Sequence, residues 1–429
     1  MVNYGGDEVS ALVLDIGTSS LRAGYAGDDT PKAIIPTTYG YIPQYNDGDV
    51  SMNEAGVSGS LVRHYFGHSG PSLWRANMEV RNPITDGIIS DFAPIPALVR
   101  HALEEVMRCS ASEHPILVTE PSWNTPANRE RMAEIMFEEF QVPAFYIANT
   151  SVLNTFAAGK GSALVIDIGQ SVASVAPVVD GFVLRKGLQH SSLPALVQGN
   201  ARNLLLSQQN PLRPPIDLYP YQLIASKQAV EANALPRYTM REDRLAGTTH
   251  SWRRWCEDRE VEEWIQTVAG VLDQGWNDQA VQHRSAKQYE FPTGFNTWFG
   301  SERFGVGELF FSHPPQLHAG NPNVPKPLPN LITESLRACD PELRQVLLSN
   351  MVLTGGGSLF SGLADRLSTE LSRTFPHCKI HAPGNPVERR YGGWLGGSIL
   401  ASLGTFHQLW ISREEWQEHG KNIVGQRCK

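Results

Sequence analysis

Cysteine is scarce in this sequence and never closely paired. Cys109, Cys256, Cys339, Cys378 and Cys428 are scattered and odd in number, which argues against both a disulfide framework and a short-spaced zinc site. A reducing compartment suits such a chain. No apolar run nears the roughly 20 residues that span a bilayer, and the opening MVNYGGDEVS has no cationic stretch leading into an apolar one. Neither a membrane span nor a secretory leader is therefore expected. Positive charge is also short: 36 Lys and Arg face 44 Asp and Glu, a formal charge of −8. Arg253, Arg254 and Arg259 are interleaved with acids and read as a solvated helix face rather than a basic patch. Without such a patch, non-specific binding to a phosphate backbone is not expected, and the chain suits the cytosol or nucleus.

With 429 residues and 41% hydrophobic content, the chain can form two or more packed domains. An internal echo points to two related halves: residues 11–20 read ALVLDIGTSS and residues 163–172 read ALVIDIGQSV. Each is a short apolar run with the look of a buried strand, closed by Asp, Ile, Gly and a small polar cluster that turns the chain. SLRAGYAG and VASVAPVVDG follow as returning strands. One copy alone would be an ordinary strand corner with an Asp in its turn; two copies are not.

Between them, HPILVTEP reads as a strand. A helix then opens at Thr125 as N-cap with Pro126 in the first position, and Met132, Ile135, Met136 and Phe140 form its buried stripe. VPAFYIANTSVLNTFAAG reads as a strand running into a second helix. Residues 43–60, 211–220 and 313–329 are polar or rich in proline and are expected to be irregular surface loops.

A strand ending in Asp-x-Gly-small-small turns backbone N–H groups outward, which suits phosphate. The first turn offers Asp15, Gly17, Thr18, Ser19, Ser20 and, nearby, Arg22. The second offers Asp167, Gly169, Gln170 and Ser171. Facing each other across a cleft, the turns would clamp a polyphosphate, with Asp15 and Asp167 holding the waters of Mg²⁺. A third element, MVLTGGGSLFSGLADRLSTEL, is a strand ending at Thr354, three glycines (Gly355, Gly356, Gly357) and a helix expected to start near Ser358, suited to pack with Leu359 against a nucleobase.

With ERRYGGWLGGSILASLGTFHQLWISREEW near the end, these elements in this order resemble the actin family over nearly the whole chain. AGYAGDDTPKAIIP and HPILVTEPSWNTPANRERMAEIMFEEF are also close to actin. The N-terminal GGDEVSALVLDIG and the inserts look most like nuclear actin-related members. The resemblance implies an α/β, actin-like ATPase fold: duplicated ribonuclease-H-like halves and four subdomains around a nucleotide cleft. Its boundaries would be 1–36, 83–157 and 392–429 for subdomain 1, 37–82 for subdomain 2, 158–193 and 317–391 for subdomain 3, and 194–316 for subdomain 4. It adds Ser358 and Arg390 to the residues expected around the nucleotide.

Departures from the family set the functional expectation. Thr150 stands where actin carries the glutamine that orients the attacking water, and Ser174 where it carries the assisting histidine. Gln170 and Ser171 replace an acidic residue and a glycine, Ser19 replaces a glycine, and Arg22 replaces the phosphate-binding lysine, a swap that is not conservative. Near the adenine, Ile265 and Gln266 align with a lysine and a glutamate. The cradle is kept and the water-positioning groups are lost, so ATP is expected to bind, with Mg²⁺ as companion ion, and to be hydrolysed very slowly or not at all. An empty cleft is the competing expectation, because Ser19 and Ser171 add bulk.

The loop at 40–63 lacks actin's apolar filament contact, so no homopolymer is expected. Phe156, Gly159, Phe182, Leu395, Leu400, Leu403, Thr405 and Leu409 match actin's apolar groove, although Leu395, Ile399 and Leu403 also have the spacing of a core face. In the family this groove takes a helicase-SANT-associated helix of a remodeller or acetyltransferase scaffold, beside an actin monomer. The resemblance thus implies a nuclear structural subunit of chromatin-remodelling and histone acetyltransferase complexes, with histones or nucleosomes as further partners. An active ATPase or nucleotide-switched protein, and a filament former, are the alternatives. Trp252, Trp255 and Trp264 are expected to pack.

Overall fold

The computed structural model describes residues 10–43, 63–207, 216–318 and 323–429. Its plan is a duplication. The strand Leu12–Ile16 pairs antiparallel with Ser20–Tyr25 and parallel with Ile116–Glu120, in a six-stranded sheet that also holds Ala33–Pro36, Ala144–Asn149 and Ile411–Ser412. In the second sheet, Ala163–Ile168 pairs antiparallel with Ala173–Val179 and parallel with Met351–Thr354, with Ile380–His381 at one edge. The echo in the sequence is thus one strand-turn-strand unit used twice. Even the turns close alike: Gly17 N–H donates to the Ser20 carbonyl at 3.1 Å and Gly169 N–H to that of Val172 at 2.9 Å.

Each sheet has its own core. Leu12, Val13, Leu14, Ile116 and Phe145 lie in the first, and Leu164, Ile166, Phe291 and Leu353 in the second. The expected helix is Pro126–Glu134, continued by a wider turn over Ile135–Glu139; Thr125 accepts from the Asn128 N–H at 3.2 Å, and the whole expected stripe is buried.

The chain crosses between the halves twice, once through the helix Thr150–Ala157 and once through Pro386–Ser402. These helices pack directly on each other. A Cβ at Gly396 would collide with the Leu153 carbonyl, one at Gly392 with the Asn154 side chain, and one at Gly393 would sit 2.8 Å from the Thr150 methyl. Glycine lets two backbones approach where any side chain would hold them apart.

A third, small core closes the far side of the cleft. Met78 and Val80 pack with Leu223, Trp252 and Cys256, and hydrogen bonds surround them. Trp74 Nε1 donates to Thr248 Oγ1 at 2.9 Å, the Val80 N–H to Ser251 Oγ at 2.9 Å, Trp252 Nε1 to the Pro71 carbonyl at 2.8 Å, and the Asn77 N–H to the Gly247 carbonyl at 2.7 Å. Trp252 and Trp264 are buried as expected, and Arg253, Arg254 and Arg259 pair with Glu257, Asp258 and Glu262 along the helix His250–Thr267.

Two expectations need correcting. No helix starts at Ser358: a tight turn covers Gly356–Leu359, and the helix is Leu363–Thr374. Ser358 is spent inside that turn, donating to the Gly355 carbonyl at 2.7 Å. The segment 313–329 is not wholly irregular: Pro315–His318 forms one helical turn and Leu328–Ala338 begins inside it. Proline is compatible with the first helical turn, whose N–H groups have no intrahelical partner. Of the other two inserts, residues 44–62 and 208–215 lie outside the described residues.

Replacing Trp252 with Ala should cost about 3–5 kcal/mol locally. Hydrogen exchange is expected to show the amides of Asn77 and Val80 losing protection while those of Leu12–Ile16 keep theirs; equal loss in both would mean that the contact is not a separate unit.

Candidate functional site

Both Asp-Gly turns and the triple glycine line one cleft of about 1170 Å³. From the first half come Asp15, Gly17, Thr18, Ser19, Ser20 and Arg22; from the second, Asp167, Gly169, Gln170, Gly355, Gly356, Gly357, Leu359 and Arg390. Ser171 is not part of the wall, but its hydroxyl lies 3.2 Å from that of Thr18, so the two turns touch at their tips. Ser358 is buried behind the wall. Gly355 has φ 88°, and a Cβ there would strike the Asp167 carboxylate; at Gly357 it would sit 2.6 Å from the Ile168 side chain. The backbone of this turn approaches the second Asp turn as closely as glycine allows.

The two carboxylates live in different surroundings. Register places Arg22 opposite Asp15, and its guanidinium meets Asp15 Oδ2 at 2.5 Å while Thr119 Oγ1 donates to Oδ1 at 2.6 Å. Ser174 occupies the equivalent place opposite Asp167 and offers no charge. Among the described residues no donor lies within hydrogen-bonding distance of the Asp167 carboxylate. Burial first, and the Asp15 charge second, push its pKa up to about 6 from 3.8, against the pull of Arg22. Asn82 ties the first turn to the next segment, donating to the Thr18 carbonyl at 2.8 Å and Thr38 Oγ1 at 3.1 Å.

Thr150 Oγ1 donates to the Glu120 carbonyl at 2.8 Å, so its one O–H proton is spent there and only its lone pairs face the cleft. Ser174 is buried at the cleft wall. Glu120 is engaged by Arg129 at 3.0 Å and Asn124 at 2.9 Å, so it is not a free base. Ile265 and Gln266 line the cleft, but so do Arg259, Glu260, Glu262 and Glu263 from the same helix, which sequence reasoning missed. Tyr391, also missed, sits 5.3 Å from the Arg22 guanidinium; its position next to Arg390 was the available signal. Among the described residues, no group of three or more His, Cys, Asp and Glu could hold a metal directly. The fit for a hydrated divalent cation rests on the unpaired Asp167 carboxylate.

The family model for actin matches residues 6–429. The chain belongs to the actin family. It is 38% identical to "Actin-related protein 4" of Yarrowia lipolytica, covering 98% of this chain and 96% of that protein. The protein of the same name from Schizosaccharomyces pombe is 36% identical over 99% of both chains. That of Arabidopsis thaliana is 34% identical over 99% of this chain and 100% of its own. The duplicated sheets and the two crossing helices are therefore the actin-like α/β fold that the resemblance implied.

The apolar positions expected to form a groove divide by exposure. Phe156, Phe182, Leu403 and Leu409 are exposed, at 36%, 62%, 46% and 44%. Gly159 and Thr405 are exposed beside them in sequence, whereas Leu395 and Leu400 are half-buried against the first core. The i, i+4, i+8 series is split accordingly: Leu395 packs inward, and Ile399 and Leu403 face out.

The raised Asp167 pKa fixes a sign. The native state holds this proton more tightly than the unfolded chain, so stability falls as pH rises from about 4 to about 6 and the cost is complete above that. Asp167→Asn should stabilise the ligand-free protein by about 1–2 kcal/mol at pH 7.5, read from urea unfolding; a destabilised variant would mean that the carboxylate has a partner.

Proposed function

We propose that the chain is a nuclear, actin-related structural subunit of chromatin-remodelling and histone acetyltransferase assemblies, holding ATP in its cleft without significant hydrolysis. The observation that carries the nucleotide reading is the meeting of the duplicated turns: the hydroxyls of Thr18 and Ser171 lie 3.2 Å apart, with the triple-glycine turn lining the same cleft. Such a clamp suits a polyphosphate. Gly355–Gly357, Leu359, Phe310 and Phe360 offer the apolar, close-approach wall that a base requires. Mg²⁺ would accompany the nucleotide, supplying charge neutralisation of the phosphates.

Absence of turnover follows from the side chains that would have to orient water. Thr150 is committed to a strand carbonyl, Ser174 is short and buried, and Glu120 is ion-paired. A nucleophile held by none of them has little catalytic advantage. A nucleotide touching both halves instead acts as a clamp, adding about 4 kcal/mol of stability when its concentration is a thousand times Kd.

The exposed apolar residues Phe156, Phe182, Leu403 and Leu409 support a partner-helix groove that would also take in Gly159, Thr405 and the half-buried Leu395 and Leu400. A helicase-SANT-associated helix is the proposed occupant, with an actin monomer alongside and histones or nucleosomes as further partners. The curated relatives named actin-related protein support the structural-subunit part of this reading.

Denaturing the purified native protein should release ATP near one per chain, and its ratio to ADP should hold over hours at physiological temperature. Steady conversion to ADP would replace the clamp with a nucleotide switch, and finding no nucleotide would remove the cleft's proposed ligand.

A further inference from the structure

Resting on the nucleotide reading, we propose that the two duplicated aspartates have parted roles: Asp167 alone anchors the divalent cation through its water shell, while Asp15 is a positioning residue that holds Arg22 against the phosphates. The sequence presents the two as equals, since both stand in Asp-Ile-Gly. Their surroundings are not equal. Each oxygen of Asp15 already accepts a short hydrogen bond, from Arg22 at 2.5 Å and from Thr119 at 2.6 Å, and the ion pair is largely shielded, with side chains 15% and 11% exposed. A fixed guanidinium in contact with Asp15 satisfies its charge and repels a second cation arriving at the same carboxylate.

Arg22 is placed for the phosphates. Its Nη1 lies 3.4 Å from where a Cβ on Gly17 would be, directly at the first turn, and the Tyr391 ring lies 5.3 Å from the guanidinium. Nε is buried without a hydrogen-bond partner. Arg22 lines the cleft, and Nη2, which makes no hydrogen bond among the described residues, rather than the buried Nε is the donor open to a ligand. Asp167 is the reverse case: it lines the cleft, faces uncharged Ser174 across the strand pair, and has no donor in reach among the described residues. An unneutralised carboxylate beside a polyphosphate requires a cation between them, and Mg²⁺ bound through water meets that need.

The test is calorimetric titration of the nucleotide-stripped full chain with ATP, once in EDTA and once with Mg²⁺. Wild-type protein should bind about tenfold more tightly with Mg²⁺. In Asp167→Asn that gain should disappear, leaving the EDTA affinity unchanged or improved. In Asp15→Asn the gain should persist while affinity falls several-fold in both conditions, because Arg22 is released. Arg22→Lys keeps the charge but loses the planar fork and should behave as Asp15→Asn does, which guards against a misfolded Asp15 variant. Loss of the Mg²⁺ gain in Asp15→Asn or Arg22→Lys, or its survival in Asp167→Asn, overturns the assignment alone. No ATP binding by wild-type protein in either condition overturns the nucleotide reading and the assignment with it.

Discussion

Everything in the cleft depends on how closely two helices approach. Among the described residues the chain passes between its halves through Thr150–Ala157 and Pro386–Ser402, and the contact between them is backbone against backbone at Gly396 and Leu153. Alanine at Gly396 would push the helices apart at the pivot, and a small displacement there is enlarged at the turns. The hydroxyls of Thr18 and Ser171 meet at 3.2 Å between the halves that this contact joins. Trp394, on the same helix, ties the pivot to the first sheet by donating to the Val13 carbonyl at 3.1 Å.

The duplication supplies two similar turns, and one substitution makes them dissimilar. Position 22 and position 174 are equivalent in the two hairpins, but one is Arg and the other Ser. A contact ion pair in the first half therefore faces a solitary carboxylate in the second. Backbone geometry is shared because both turns close by the same hydrogen bond; electrostatics is not shared because it is written by side chains that the hairpin tolerates in any form.

Opposite the pivot, the Met78 and Trp252 contact joins the halves a second time. At its polar rim the Gly247 carbonyl and the Ser251 hydroxyl take up the Asn77 and Val80 N–H groups, and Trp74 Nε1 pairs with Thr248 Oγ1. The cleft is thus bounded by the crossing helices on one side and a packed seam on the other.

The sequence by itself determined the repeated hairpins, the helix opening at Thr125 and the buried stripe from Met132 to Phe140, because a short apolar run closed by a turn, an N-cap and a helical period are local properties that no distant contact had to complete. It also named the three turns that meet at the cleft, since Asp-x-Gly turns and a glycine run restrict the backbone wherever they occur. Tertiary structure alone decided that Thr150 gives its hydroxyl to Glu120, that Asp15 is neutralised while Asp167 is not, that Leu395 packs inward while Leu403 faces out, and that Glu262 and Glu263 reach the cleft. Each depends on a neighbour far away in the chain or on the rotation of a helix, and a sequence shows which residues are able to pair without showing which ones the fold brings together.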